Sequence, residues 1–169
     1  MILSATMIKL LNDQITHENV NEMKYRAVQG YFEDCNLHGF AKYFETQAHG
    51  EHTHREKIIN YMNDKNAHIT FQSVSPYTEK FADVREIANF YYATEIGTTK
   101  KLYAIVKAAQ DEVDIGTVAW LYRSDGLILE QIEEEASALD FKSQINRIYG
   151  PDNQLNGLGL ETLNQAYLG

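Results

Sequence analysis

Residues Phe44–Met62 read FETQAHGEHTHREKIINYM. Phe44, Ile58 and Met62, with Phe40 just before them, recur at the three- and four-residue spacing of a helix with one buried face. That spacing also puts Glu51 and His54 on the buried face, between Phe44 and Ile58. Residues three apart share a side of a helix, so Glu51 and His54 can act together while His49 and His52 point away. A buried Glu-x-x-His pair demands partners, and the rest of the chain decides what they are.

The same periodicity predicts four long helices, at roughly 5–35, 38–64, 83–110 and 114–148, and a short fifth near 157–167. Their apolar stripes run through Ile8, Leu11, Ile15, Tyr25 and Phe32, then Phe40, Phe44, Ile58 and Met62. The third and fourth use Val84, Ala88, Tyr91, Leu102 and Ile105, then Leu127, Ala138, Phe141 and Ile145. Both prolines, Pro76 and Pro151, fall outside these stretches. At about 1.5 Å per residue the helices would be about 40 to 50 Å long, and four such stripes can bury one another in a four-helix bundle. The expected class is all-α, one domain over residues 1–169.

Connections limit the topology. His38-Gly39, after Asn36, suits a tight turn between the first two helices, and AAQDEVD (108–114) suits another, with Asp114 as N-cap of the fourth. The connection from about Asp64 to Ala82 contains AHITFQSVSP and is too long for a turn. At about 3.3 Å per extended residue it can cross the whole bundle, making the second and third helices parallel.

Each stripe carries a polar residue at a core position: Glu18 in the first, Glu51 and His54 in the second, Glu95 in the third, Gln131 and Glu134 in the fourth. Burying one unpaired carboxylate costs several kcal/mol, and several together cost more unless positive charge neutralises them. Lys24, Arg26, Arg55 and Lys57 project elsewhere on the same reading, so a pair of divalent cations is the expected counter-charge. Carboxylates with a single imidazole suit iron or manganese better than a structural zinc. A lone Glu-x-x-His is commonly a solvated helix face, and so is a run such as Glu133–Glu135; core-facing carboxylates on four helices are not.

Composition agrees. Fifteen Lys and Arg against 24 Asp and Glu give a net charge of −9, which disfavours nucleic acid and favours cations. The single cysteine, Cys35, rules out an internal disulfide framework and fits a reducing compartment such as the cytoplasm. The apolar start MILSATMIKLLNDQ is broken by polar residues before a signal or membrane segment could form, so a soluble, unprocessed chain is expected.

LNDQITHE (11–18), EHTH (51–54), Glu95 within YYATEIG and EQIEEE (130–135) together resemble the bacterial non-heme ferritins. The resemblance spans essentially the whole chain and implies a di-iron ferroxidase centre. It places Glu18 and His54 on the first iron, Glu51 as the bridge, and Glu95 with Glu134 on the second. Gln131 would stand near the oxygen-binding side, and Tyr25 would supply an electron. A third iron site is implied for Glu130 and Glu133, but Gly50 stands where a further acid is expected. Heme is not expected: His52 occupies the place of the heme-ligating methionine of bacterioferritins, and Gln131 and Glu134 replace their Glu-x-x-His.

The resemblance further implies Fe(II) and dioxygen as substrates, ferric mineral storage, and a homo-oligomeric cage of 24 subunits. The last helix, within NGLGLETLNQAYL (156–168), would pack around the four-fold axis with Leu158, Leu160, Leu163 and Leu168 as anchors. Asp111, Glu112 and Asp114 are candidates for cation access at three-fold axes. The alternative is a ferritin-like assembly with a structural metal clip and no mineral, a looser centre suggested by Gly97 and Gly126 inside predicted helices, each costing about 1 kcal/mol relative to Ala.

Overall fold

The structure, a computed structural model, describes residues 2–150 and 152–168. Six helices follow one another: α1 (Ala5–Asp34), α2 (His38–Asp64), α3 (Val84–Asp111), α4 (Ile115–Leu121), α5 (Leu127–Arg147) and α6 (Gly157–Ala166). The fold is all-α, with no named strand among the described residues; none of its helices is long and apolar enough to cross a membrane.

Cross-helix contacts give the directions. Arg55 of α2 meets Asn19 and Glu22 of α1, while Glu45 lies 3.7 Å from Arg26. Tyr25 meets Glu95 of α3, and Asn21 meets Thr98. Both α2 and α3 therefore run antiparallel to α1 and parallel to each other. The crossover has no regular secondary structure despite its β-branched residues. Asn12 of α1 pins its backbone at two points, donating to His68 O (3.1 Å) and accepting from Thr70 N (2.7 Å). Asp83 then caps α3 by accepting from Glu86 N (2.8 Å), and the Glu86 carboxylate accepts in return from Ala82 N, a near capping box.

The predicted fourth helix is divided. It ends at Leu121 and restarts at Leu127, so Gly126 is not inside a helix but is the N-cap of α5. A Cβ there would lie 2.6 Å from the carbonyl oxygens of both Trp120 and Leu121, a close approach open to glycine alone. Ser124-Asp125-Gly126 is turn chemistry, but Leu121, Leu127 and Ile128 on either side all pack into one core, so the apolar period bridges the break. Asp114 caps α4 as expected, accepting from Thr117 N (3.0 Å). Tyr61 fixes α4 to α2 through Thr117 Oγ1 (2.7 Å) and a parallel ring stack on Trp120, centroids 3.9 Å apart.

At the first turn, Asn36 takes the left-handed conformation (φ 58°), while His38 and Gly39 already belong to α2. Leu37 leaves that helix start without a side-chain cap. Asn164 of α6 supplies it, accepting from Gly39 N (2.9 Å) and Phe40 N (3.1 Å). Tyr167 packs against Phe40 and Tyr43 and donates to Gln144 Oε1 (3.1 Å). Leu160 and Leu163 pack on the subunit's own core and Leu168 is half-buried, while Leu158 is 79% exposed and anchors nothing within the subunit. Pro151 lies outside the described residues.

The core is two apolar clusters stacked along the bundle. One holds Tyr25, Phe32, Phe44, Ile87, Tyr91 and Phe141; the other holds Leu11, Ile15, Ile58, Met62, Leu102 and Ile128. Ile8 is only partly buried, and Met7 takes its place in the core. Each long helix passes from one cluster to the other through a polar segment, and those segments meet.

The close approach of α6 to α2 is testable. A Cβ at residue 39 would sit 1.9 Å from Asn164 O. Gly39→Ala is expected to cost about 1–3 kcal/mol, read as a lower midpoint in chemical denaturation; an unchanged midpoint would contradict the packing.

Candidate metal centre

Between the apolar clusters lie Glu18, Glu51, His54, Glu95 and Gln131, all buried, with the partly exposed Glu134 beside them. Ligand atoms of Glu18, Glu51 and His54 come within 4.8 Å of one another. Glu18 Oε1 accepts from Gln14 Nε2 (2.7 Å), one turn earlier on α1. Glu18 Oε2 and Glu51 Oε2 accept no hydrogen bond, and His54 Nδ1 lies 3.6 Å from Glu51 Oε2. Buried carboxylate oxygens are rarely left without a donor, and two of them in one cluster with His54 are a donor set for a cation.

Glu95 is held from two sides. Tyr25 donates its hydroxyl to Oε1, and Gln131 Nε2 donates to Oε2 (2.9 Å) and to the Glu95 carbonyl (3.3 Å). The Tyr25 ring packs edge-on against Tyr91 (5.4 Å), whose hydroxyl donates to Gln47 Oε1 (2.9 Å) and lies 3.2 Å from that of Tyr43. On the opposite side of the centre, His54 Nε2 lies 3.3 Å from both Glu130 Oε2 and Glu134 Oε1. His49 and His52 stay outside, stacked on each other.

Glu130, Glu133 and Glu134 line a cleft of about 330 Å³ with His54, Gly50 and Ser137. A Cβ at Gly50 would come no nearer than 3.9 Å to Glu134 Oε1, so the missing side chain leaves this cleft open. Glu133 is exposed at its mouth, apart from the buried set. Two expectations need correction. Lys57 does not project away from the acids: its ammonium sits 2.5 Å from Glu130 Oε2. Asp114 is buried as a helix cap, which leaves Asp111 and Glu112 at the surface of that turn.

Lys24 rests on Asn21 Oδ1 (3.2 Å) and Arg55 on Glu22 (2.8 Å), neither of them entering the centre. The sequence reading passed over Gln14, although its position four residues before Glu18 was the signal for a same-face contact. It also passed over a polar layer behind Glu18, in which His17 Nε2 lies 2.9 Å from Thr98 Oγ1, itself an acceptor from Asn21 (3.1 Å). That layer shows no periodic signature, because its members sit at core positions in place of apolar residues.

Protonation follows from this crowding. Burial, reinforced by the Glu51 charge, pushes the Glu18 carboxyl well above the carboxylate range. Burial also raises Glu51 and Glu95, and burial with the Glu95 and Glu18 charges takes Glu134 up to about 8. Burial opposes a charged His54, but the neighbouring Glu130 and Glu51 carboxylates hold it well above the usual imidazole range. Glu130 goes the other way, to about 2, through the adjacent His54 imidazole and, against some burial, the Lys57 hydrogen bond.

Burial therefore favours the protonated acids when no cation is bound, and metal ligation needs those protons removed. Divalent-ion binding is expected to release protons, with affinity rising from pH 5 to 8. Calorimetry in buffers of different ionisation enthalpy measures this; binding heats independent of buffer would contradict it.

The Ferritin-like domain family model matches residues 8–148. The chain is 32% identical over 159 residues to a bacterial non-heme ferritin of Staphylococcus aureus, covering 94% of this chain and 92% of that protein. A bacterial non-heme ferritin of Staphylococcus haemolyticus is 31% identical over 154 residues, 91% of each chain. Among solved structures, the open pore ferritin of the hyperthermophilic archaeon Archaeoglobus fulgidus superposes with a TM-score of 0.88 at 25% identity, covering 98% of this chain and 97% of that one. A humanized archaeal ferritin gives 0.89 at 27%, covering 98% and 95%. With its bundle, its crossover and its buried acids, the chain belongs to the ferritin family.

Proposed function

We propose that the protein stores and detoxifies iron, oxidising Fe(II) with dioxygen at an intra-subunit di-iron ferroxidase centre and keeping ferric oxo-hydroxide inside a cage. The observation that carries this reading is the pair of unpartnered buried oxygens on Glu18 and Glu51, with His54 in the same cluster, inside a ferritin bundle. Glu18 and His54 bind one substrate Fe(II), Glu95 and Glu134 the other, and Glu51 bridges them. A carboxylate bridge holds two metals about 3.5–4 Å apart, so their two electrons can reach one dioxygen together. Two Fe(II) then give two Fe(III) and, with two protons, hydrogen peroxide; water forms when four electrons are delivered.

The hydrogen bonds support further roles in this reading. Gln14 orients Glu18 and leaves its second oxygen free for metal. Gln131 fixes Glu95 from the oxygen-binding side. Tyr25, whose hydroxyl touches Glu95, is placed to supply an electron, and its proton can pass to that carboxylate. The open cleft at Gly50 leads from the inner surface to His54 and Glu134.

The whole chain works as one ferritin-like unit in a homo-oligomer of 24 subunits, in a reducing, cytoplasmic setting compatible with its exposed free Cys35. A groove of about 790 Å³ beside exposed Leu158, lined by Arg147, Ile148, Leu163 and Tyr167, is the seat for a neighbouring subunit. The metal-clip alternative loses half its basis, because Gly126 is a required helix cap rather than a weak point inside α5.

Glu51→Ala tests the site. It is expected to remove the fast phase of Fe(II) oxidation, a loss beyond the about 10- to 100-fold typical of an outer-shell partner, while the assembled particle sediments as before. Unchanged initial rates in stopped-flow absorbance would sink the assignment.

A further inference from the structure

Lys57 stands one helical turn beyond His54 on α2, and its ammonium lies 2.5 Å from Glu130 Oε2. The same oxygen is 3.3 Å from His54 Nε2. One oxygen of Glu130 is thus shared between the Lys57 and His54 nitrogens. The remaining groups around the cleft are poor in ligands: Thr46, Gln47, Thr53 and Ser137 are uncharged, and residue 50 has no side chain.

Charge counting points the same way. Glu18, Glu51, Glu95 and Glu134, once ionised, balance two divalent ions. Glu130 is balanced by Lys57. A third divalent ion in the cleft would face only the exposed Glu133 as uncommitted charge, and to gain Glu130 it would have to displace an ammonium already hydrogen-bonded there. An ammonium tethered to α2 and already hydrogen-bonded to Glu130 competes with a mobile cation because it need not be brought from solution.

We propose that Lys57 is a built-in cation that withdraws Glu130 from the ligand set and so limits each subunit to two metal ions. Lys57 is a positioning residue in this role. It decides the metal stoichiometry without ligating metal, and Gly50 completes the effect by contributing no donor to the cleft. The inference rests on the two-ion centre proposed above.

The test counts redox-inert Zn2+ bound per subunit by the assembled, full-length protein, using anaerobic calorimetry together with anomalous diffraction to locate the ions. Wild-type protein is expected to fill two positions in the centre, and Lys57→Met or Lys57→Gln to gain a third at Glu130 and Glu133. Lys57→Arg, which keeps the charge, is expected to remain at two, and adding Glu130→Gln to Lys57→Met to abolish the gained ion. A third ion at Glu130 in the wild-type protein, or two ions in both neutral variants, would overturn the role of Lys57 while leaving the two-ion centre intact. Fewer than two ions in the wild-type centre would overturn the underlying reading instead.

Discussion

Everything in this molecule is arranged around carboxylates that have been taken out of water. Glu18, Glu51 and Glu95 are buried at mid-bundle, and the partly exposed Glu134 completes the set. An ion removed from water loses several kcal/mol of hydration even after the protein relaxes, and neighbouring like charges add to that cost. That cost pushes their titration upward, which favours protons on them when nothing else is bound. Divalent cations satisfy them better, because each one neutralises two charges and accepts several oxygens at once.

Holding such a cluster requires a rigid frame, and the two apolar cores supply it. Aromatic packing of Phe32, Phe40, Phe44, Tyr91 and Phe141 clamps one end, while aliphatic packing of Leu11, Ile15, Ile58, Met62 and Leu102 clamps the other. The helices cannot slide to bring the acids to solvent without dismantling one of these clusters. Connections reinforce the frame: Asn12 pins the crossover, Asn164 caps α2 from α6, and the Gly126 break fixes where α5 begins. That break matters to the chemistry, because Glu130, Gln131 and Glu134 lie in the first two turns of the new helix.

Much of this was legible in the sequence, for an identifiable reason. Helical period and buried position are linked by geometry, so polar residues in register with Phe44 and Ile58 had to be buried, and Glu51 and His54 are. The same logic located Glu18, Glu95 and Gln131. What escaped depended on contacts between elements. A period that continues through residues 121–128 hid the division of the fourth helix, since both halves feed one core. Gly39 looked like a turn residue, whereas its lack of a side chain admits the backbone of α6. Lys57 was placed on an outer face by spacing, but a long flexible side chain reaches sideways across helices, and only the relative placement of α2 and α5 shows that it ends on Glu130.

The most direct test of iron storage at a buried di-iron centre is an aerobic Fe(II) titration of the purified apo-protein, followed by sedimentation to count the irons kept per particle. A fast oxidation phase saturating at two irons per subunit, with hundreds of irons then retained in a large particle, is the result expected. Binding without fast oxidation, and with no iron sedimenting beyond the stoichiometric amount, would contradict the account and leave the buried acids as a structural metal clip.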